Sequence, residues 1–133
     1  MTPTMAATRN SRAQAYPVLP AEELGRARTF YHDILGFDVV DMPEARQFVL
    51  RAGDGTGAVV YETARTKAEH TVATFVVSDL SATMDELRSR GIEFEEYDLP
   101  GLKTINGVAE LPGEESAWFT DTEGNVISLA HMS

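Results

Sequence analysis

The sequence predicts an α+β protein of two βαβββ modules, with curved mixed sheets around a cleft. Three observations predict it. Two segments carry apolar residues at helical spacing, and each closes on a glycine. Each segment is preceded by one short extended run and followed by three more. The landmarks of the first half also recur in the second: Leu24 and Leu80 lie 56 residues apart, Gly36 and Gly91 55, and Gly57 and Gly124 67. A longer excursion in the second half accounts for the larger spacing at the end. Identity between the halves is low, so the repeat rests on pattern and punctuation, and it duplicates one supersecondary unit.

In chain order, "AYPVLP" starts a sheet, with Pro17 marking an edge or strand-end position. In "EELGRARTFYHDILGF", Leu24, Ala27, Tyr31 and Ile34 recur at helical spacing, two acids suit the positive end of the dipole, and Gly36 closes the helix. "FDVVD", "RQFVLRA" and "GAVVYET" are extended pieces, separated by Pro43 and by the turn "GDGTG". After the polar bridge "ARTKAE" comes "HTVATFVV", a strand rich in β-branched residues. Ser78 and Asp79 both suit the cap of "LSATMDELRSRG", whose Leu80, Met84 and Leu87 share one face before Gly91 ends it. "IEFEEYD" alternates apolar and acidic residues as a half-solvated strand, with Glu93, Glu95, Glu96 and Asp98 on its edge. The excursion "LPGLKTINGVAELPGEE" then leads to the strands "SAWFTD" and "NVISLAH". Its length, over residues 99–115, suits a lid on the cleft, a dimer-clasping arm or plain packing.

The 133 residues predict a loose N-terminal arm over 1–13 and a single domain over 14–133, made of modules 14–64 and 70–131. The net charge of -10 opposes nucleic acid and favours a cationic or neutral ligand. No apolar run approaches the length of a membrane span, and the first residues lack the apolar stretch of a secretory signal. The absence of cysteine excludes disulfides, thiolate metal sites and cysteine nucleophiles, and suits a reducing cytoplasm.

"RARTFYHDILGF", "VSDLSATMDELRSRGIEF" and "WFTDTEGNVISL" together resemble the vicinal oxygen chelate superfamily, which includes glyoxalase I, extradiol dioxygenases and bleomycin-resistance proteins. The resemblance covers nearly everything after the arm. It implies paired βαβββ modules, often dimeric, around a cavity. In the enzymes of this group, one His or Glu from the first and last strand of each module holds a divalent metal. Here those positions read Tyr16, Tyr61, Val72 and Ser128. Valine offers no lone pair, serine is a weak neutral ligand, and phenols of pKa near 10 hold hard divalent ions poorly. The resemblance therefore implies no metal and no cofactor, and the shared Lewis-acid chemistry is lost with the ligands.

Two classes of function remain. The first is a metal-independent binding protein, like the bleomycin-resistance branch, that sequesters a hydrophobic, aromatic or cationic small molecule as a homodimer. Tyr16, Tyr61, Val72, Trp118 and Ser128 would line its cleft. Trp118 and Phe119 alternate, and the superfamily's core aromatic at Phe119 leaves Trp118 facing the pocket. The second is a glyoxalase-type lyase or isomerase that uses side-chain acid-base chemistry, with Glu62 and His70 as the candidate groups beside the two tyrosines. The sequence leans away from an enzyme. His32 and His131 read as solvent-facing.

Overall fold

Each module builds one four-stranded sheet, and the computed structural model describes residues 14–64 and 69–133; the expected arm at 1–13 lies outside them. The first module consists of β1 (Val18–Ala21), helix α1 (Leu24–Thr29), β2 (Asp38–Met42), β3 (Gln47–Arg51) and β4 (Gly57–Glu62). Its sheet runs β1-β4-β3-β2, with β1 parallel to β4 and the other pairs antiparallel. The second consists of β5 (Thr71–Val76), α2 (Leu80–Ser89), β8 (Ala109–Leu111), β9 (Glu114–Thr120) and β10 (Val126–Met132), in the matching order β5-β10-β9-β8. Between α2 and β8, β6 (Asp98–Leu99) and β7 (Leu102–Lys103) form a short hairpin.

The change in repeat spacing from 56 to 55 has a structural cause. After Thr29, helix α1 continues as a π-helical turn over Phe30–Ile34, in which the Leu35 N–H donates to the Phe30 carbonyl at 3.0 Å. A π-turn absorbs one extra residue in a helix. The first helix is one residue longer than the second between its matching leucine and glycine. The widened turn directs both Phe30 and Tyr31 inward, where they meet edge to face at 5.4 Å. Helix α2 is regular, and Asp79 rather than Ser78 caps it, accepting from the Ala82 N–H at 3.0 Å.

The two sheets share one core through their helix-bearing faces. Leu19, Phe48, Leu50 and Val60 of the first sheet join Ala73, Phe119, Ile127 and Leu129 of the second around Ala27, Phe30, Met84 and Leu87 of the helices. Gly57 shows how closely the first sheet is built: a Cβ there would lie 2.2 Å from the Leu50 carbonyl oxygen. Gly57→Ala is expected to cost about 2 kcal/mol, because backbone must move to admit the methyl. Thermal unfolding of the variant measures it, and an unchanged midpoint would contradict the contact.

"IEFEEYD" is not the strand that its alternation predicts. Apart from the two-residue β6, the segment makes two ladder-like bonds: the Glu95 N–H donates to the Trp118 carbonyl, and the Tyr97 carbonyl accepts from the Thr104 N–H. Ile92 and Phe94 turn into the core, and Phe94 meets Phe119 edge to face. The Glu96 carboxylate accepts from the Thr104 hydroxyl at 2.6 Å and the Gly107 N–H at 2.8 Å, closing a loop that side chains hold. The Thr104 hydroxyl, then the Gly107 N–H, lower the Glu96 pKa below its usual value. The fourth place in the sheet goes to β8, from inside the 99–115 excursion, so part of that excursion is sheet rather than a free lid.

Candidate functional site

Side chains alternate across a strand, so each sheet has an open face opposite the shared core. On the first sheet two rows cross all four strands: Val18, Val59, Val49 and Val40, then Pro20, Tyr61, Gln47 and Met42. Four of these side chains are well exposed, with Val18 at 58%, Val40 at 45%, Met42 at 41% and Tyr61 at 38%. Tyr16 stands beside them, its hydroxyl within hydrogen-bond reach of Gln14 Oε1 at 2.9 Å and of the Gly55 carbonyl at 3.1 Å. With Val40, Val49 and Thr56 it lines a cavity of about 200 Å³.

On the second sheet the open face carries Ser128, flanked across the ladder by Thr74 and Trp118. Ser128 is buried, and its Oγ lies 2.5 Å from Thr74 Oγ1. Trp118 donates its indole N–H to Thr71 Oγ1 at 3.1 Å, and the Tyr97 ring meets it nearly perpendicular at 5.6 Å. Phe119, its neighbour, is fully buried in the core, so the two aromatics do point to opposite faces.

Val72 does not join this face. Pairing between β5 and β10 steps from Thr71↔Val126 directly to Ala73↔Ile127, which makes Val72 the extra residue of a β-bulge. Its side chain packs against the core, and Thr71 and Thr74 carry the open face of β5. Spacing along the chain cannot register a bulge, which is why the repeat offset placed Val72 with the others.

The four positions do not converge within one chain. Among the described residues, no hydrogen bond or ring contact joins Tyr16 or Tyr61 to Trp118 or Ser128. Among the described residues they also share none of the cavities of about 200, 360 and 820 Å³. As a donor set, two phenols and one serine hydroxyl already bonded to Thr74 do not suit a divalent ion. Among the described residues no three His, Cys, Asp or Glu side chains gather as a metal cage.

The acid-base candidates lie apart as well. The Glu62 carboxylate is ion-paired with Arg46, and His70 is exposed beside the start of β5. His32 sits on the surface against Asp33. His131, expected in solvent, is half-buried: its Nδ1 lies 3.2 Å from the Val77 carbonyl. It lines the cavity of about 360 Å³ together with Glu115 and Asp79.

The "DTEGN" turn belongs to the scaffold. Asp121 accepts from the Tyr31 hydroxyl at 2.5 Å, from the N–H groups of Glu123 and Asn125 at 2.8 Å each, and from Asn125 Nδ2 at 2.9 Å. Glu123 accepts from Arg26 Nε at 2.7 Å and from the Glu23 N–H at 3.0 Å, while Asn125 Nδ2 reaches the Pro20 carbonyl at 3.0 Å. Burial, then the charge and hydrogen bond of Asp121, raise the Tyr31 phenol well above its ordinary pKa, so it remains a donor. Both motif segments therefore weld module to module.

Residues 13–129 match the Glyoxalase/Bleomycin resistance protein/Dioxygenase superfamily. The chain belongs to this superfamily. Solved structures share the fold at low identity. UcmS2 superposes with a TM-score of 0.67 at 20% identity, covering 88% of this chain and 96% of its own. TnmS3, an antibiotic binding protein from Streptomyces sp. CB03234, gives 0.64 at 21%, covering 90% and 97%. FosX, a fosfomycin resistance protein from Listeria monocytogenes, gives 0.67 at 11%, covering 91% and 93%. No curated protein matches the sequence. Among the described residues no helix is long and apolar enough to cross a membrane.

Proposed function

We propose that this superfamily member is a metal-independent small-molecule-binding protein, with the open sheet faces as its binding surfaces. The observation that carries this reading is the exposed apolar set on the open face of the first sheet, Val18, Val40, Met42 and Tyr61, where the resemblance implies that enzymes of the group place ligating side chains nearby. Tyr16 and Tyr61 offer flat area with a polar tip, Trp118 a second aromatic surface, and Ser128 with Thr74 a small polar anchor. Because these residues do not meet within one chain, a second copy lays its second sheet over the first sheet of its partner, forming a homodimer with two equivalent clefts. The ligand is aromatic or hydrophobic, and the net charge of -10 favours a cationic one. The antibiotic-binding and antibiotic-resistance proteins that share the fold support sequestration as the role.

Titration of the protein with a panel of aromatic and cationic antibiotics, alongside light scattering for mass in solution, tests this. The expected result is a dimer that binds at least one compound with a Kd of roughly 10 μM or tighter. Tyr61→Ala and Trp118→Ala should each weaken that binding about tenfold, the worth of one aromatic contact. A monomer, or a panel with no Kd below about 100 μM, would count against it.

A further inference from the structure

The modules meet along a seam that the repeat should close twice, and it is closed once. On the first side, helix α1 meets the turn before β10. Phe30 packs on Phe119 at 6.3 Å, Tyr31 bonds Asp121, Arg26 pairs with Glu123, and Asn125 holds the Pro20 carbonyl. By the 56- and 67-residue spacings, the other side should bring helix α2 against the turn before β4. There each contact has lost its chemistry. Tyr31 has Leu87 as its counterpart and Phe30 has Glu86; Arg26 has Ala82 and Glu123 has Thr56; Phe119 has Ala52 and Asn125 has Ala58. Only Asp54 keeps the acid of Asp121, and among the described residues its carboxylate accepts no hydrogen bond.

A groove of about 820 Å³ occupies the unclosed side, and its walls include five of these counterparts, Ala52, Asp54 and Thr56 from the turn and Glu86 and Leu87 from α2, with Thr83 beside them. Phe37 and Phe75, their rings 4.7 Å apart and tilted by 35°, add aromatic area, and Leu35 and Leu129 add aliphatic area. β5 contributes an edge. Among the described residues its partner is β10 alone, and the Val77 N–H donates to the Ala130 carbonyl, so alternation turns the main-chain groups of Thr74 and Val76 away from the sheet toward the groove they line. The guanidinium of Arg90 is already engaged, at 2.5 Å by Glu86 and at 2.7 Å by the Ile34 carbonyl. Asp54 is left as the charge that a ligand would meet.

We propose that this groove is a small-molecule site, separate from the open sheet faces, for a flat aromatic compound bearing a phenol or protonated amine. The ring takes the place that the Tyr31, Phe30 and Phe119 side chains fill on the closed side. The donor bonds Asp54 as the Tyr31 hydroxyl bonds Asp121. The volume suits a drug-sized ligand. None of Tyr16, Tyr61, Trp118 and Ser128 lines the groove; Thr74 alone of the residues named for the binding surfaces above borders both, so occupancy of the groove is read at Asp54–Gly57 and Thr83–Leu87.

The test follows amide chemical shifts of the full chain during titration with 2-naphthol, its methyl ether and naphthalene-2-sulfonate. Saturable shifts at Asp54–Gly57, Thr74–Val76 and Thr83–Leu87 are expected for 2-naphthol, with affinity about tenfold above the ether, which cannot donate, and above the anion. Leu87→Tyr, which restores the repeat's phenol, should abolish them. Thr83→Trp fills the groove from the helix surface, so it serves even where Leu87→Tyr fails to fold. Asp54→Asn should remove most of the preference for 2-naphthol over the ether. Shifts confined to the surroundings of Tyr61 and Trp118, undiminished binding to Thr83→Trp, or no saturation by about 5 mM would each overturn the proposal.

Discussion

Asp121→Ala is expected to lower the free energy of unfolding by about 4 kcal/mol, the largest single effect anticipated for this chain. The carboxylate is buried and takes four hydrogen bonds, two from the backbone of its own turn and two from the side chains of Tyr31 and Asn125. Removing it strands the Tyr31 hydroxyl, which burial keeps protonated, and loosens the turn that carries Glu123 and Asn125 to the first module. A buried donor left without a partner costs roughly 1–3 kcal/mol, and relaxation of the turn returns only part of the sum. Urea unfolding measures the loss. Asp54→Ala is the internal control: the same repeat position, exposed and without those bonds, should cost under about 1 kcal/mol. Equal losses in the two variants would mean that the acid acts through its turn and not through the seam.

Acid is expected to weaken the fold through Glu123. The side chain is 1% exposed, so burial opposes its charge, but bonds from Arg26, the Glu23 N–H and the Thr122 hydroxyl outweigh that and lower its pKa to about 2. An unfolded glutamate titrates near 4.3. A carboxyl whose pKa is depressed on folding binds its proton more readily in the unfolded chain, so its contribution is complete above about pH 5 and fades as pH falls toward 2. The difference corresponds to about 3 kcal/mol, and screening at Arg26, whose side chain is 42% exposed, reduces it to about 2. Unfolding free energies measured from pH 7 to pH 2 should therefore fall, and Glu123→Gln should start lower at neutral pH with a shallower decline. A wild-type profile that is flat between pH 5 and 3 would contradict this assignment.

Both predictions concern residues that read as a family signature, and their chemistry explains why the signature is legible while the function is not. A turn that welds two modules needs an acid to collect N–H groups, a glycine to reverse the chain and an amide to cross the seam, and Asp121, Gly124 and Asn125 meet those needs within five residues. Such local requirements leave marks in local sequence. The proposed binding surface is spread over both sheets, and its composition would be constrained only by the compound it accepts. Ser128 illustrates the limit. The repeat identifies it as a position where relatives place a ligand, but its 2.5 Å contact with Thr74 and its place beside Trp118 follow from pairing between distant strands.

What the sequence determined by itself is the two helices, the strands that open and close each module, and the duplication, because helix periodicity, strand alternation and glycine at Gly36 and Gly91 act over a few residues. It also determined that the four ligand positions carry no carboxylate or imidazole. Only the tertiary structure decided where the extra residue of β5 goes, and the bulge put Val72 into the core. It likewise decided that "IEFEEYD" yields its place in the sheet to β8, with Ile92 and Phe94 turned into the core, where Phe94 meets Phe119. The unclosed seam is of the same kind. Leu87, Glu86, Ala52 and Thr56 are unremarkable residues one at a time, and they make a groove because folding sets them opposite each other where Tyr31, Phe30, Phe119 and Glu123 meet on the other side.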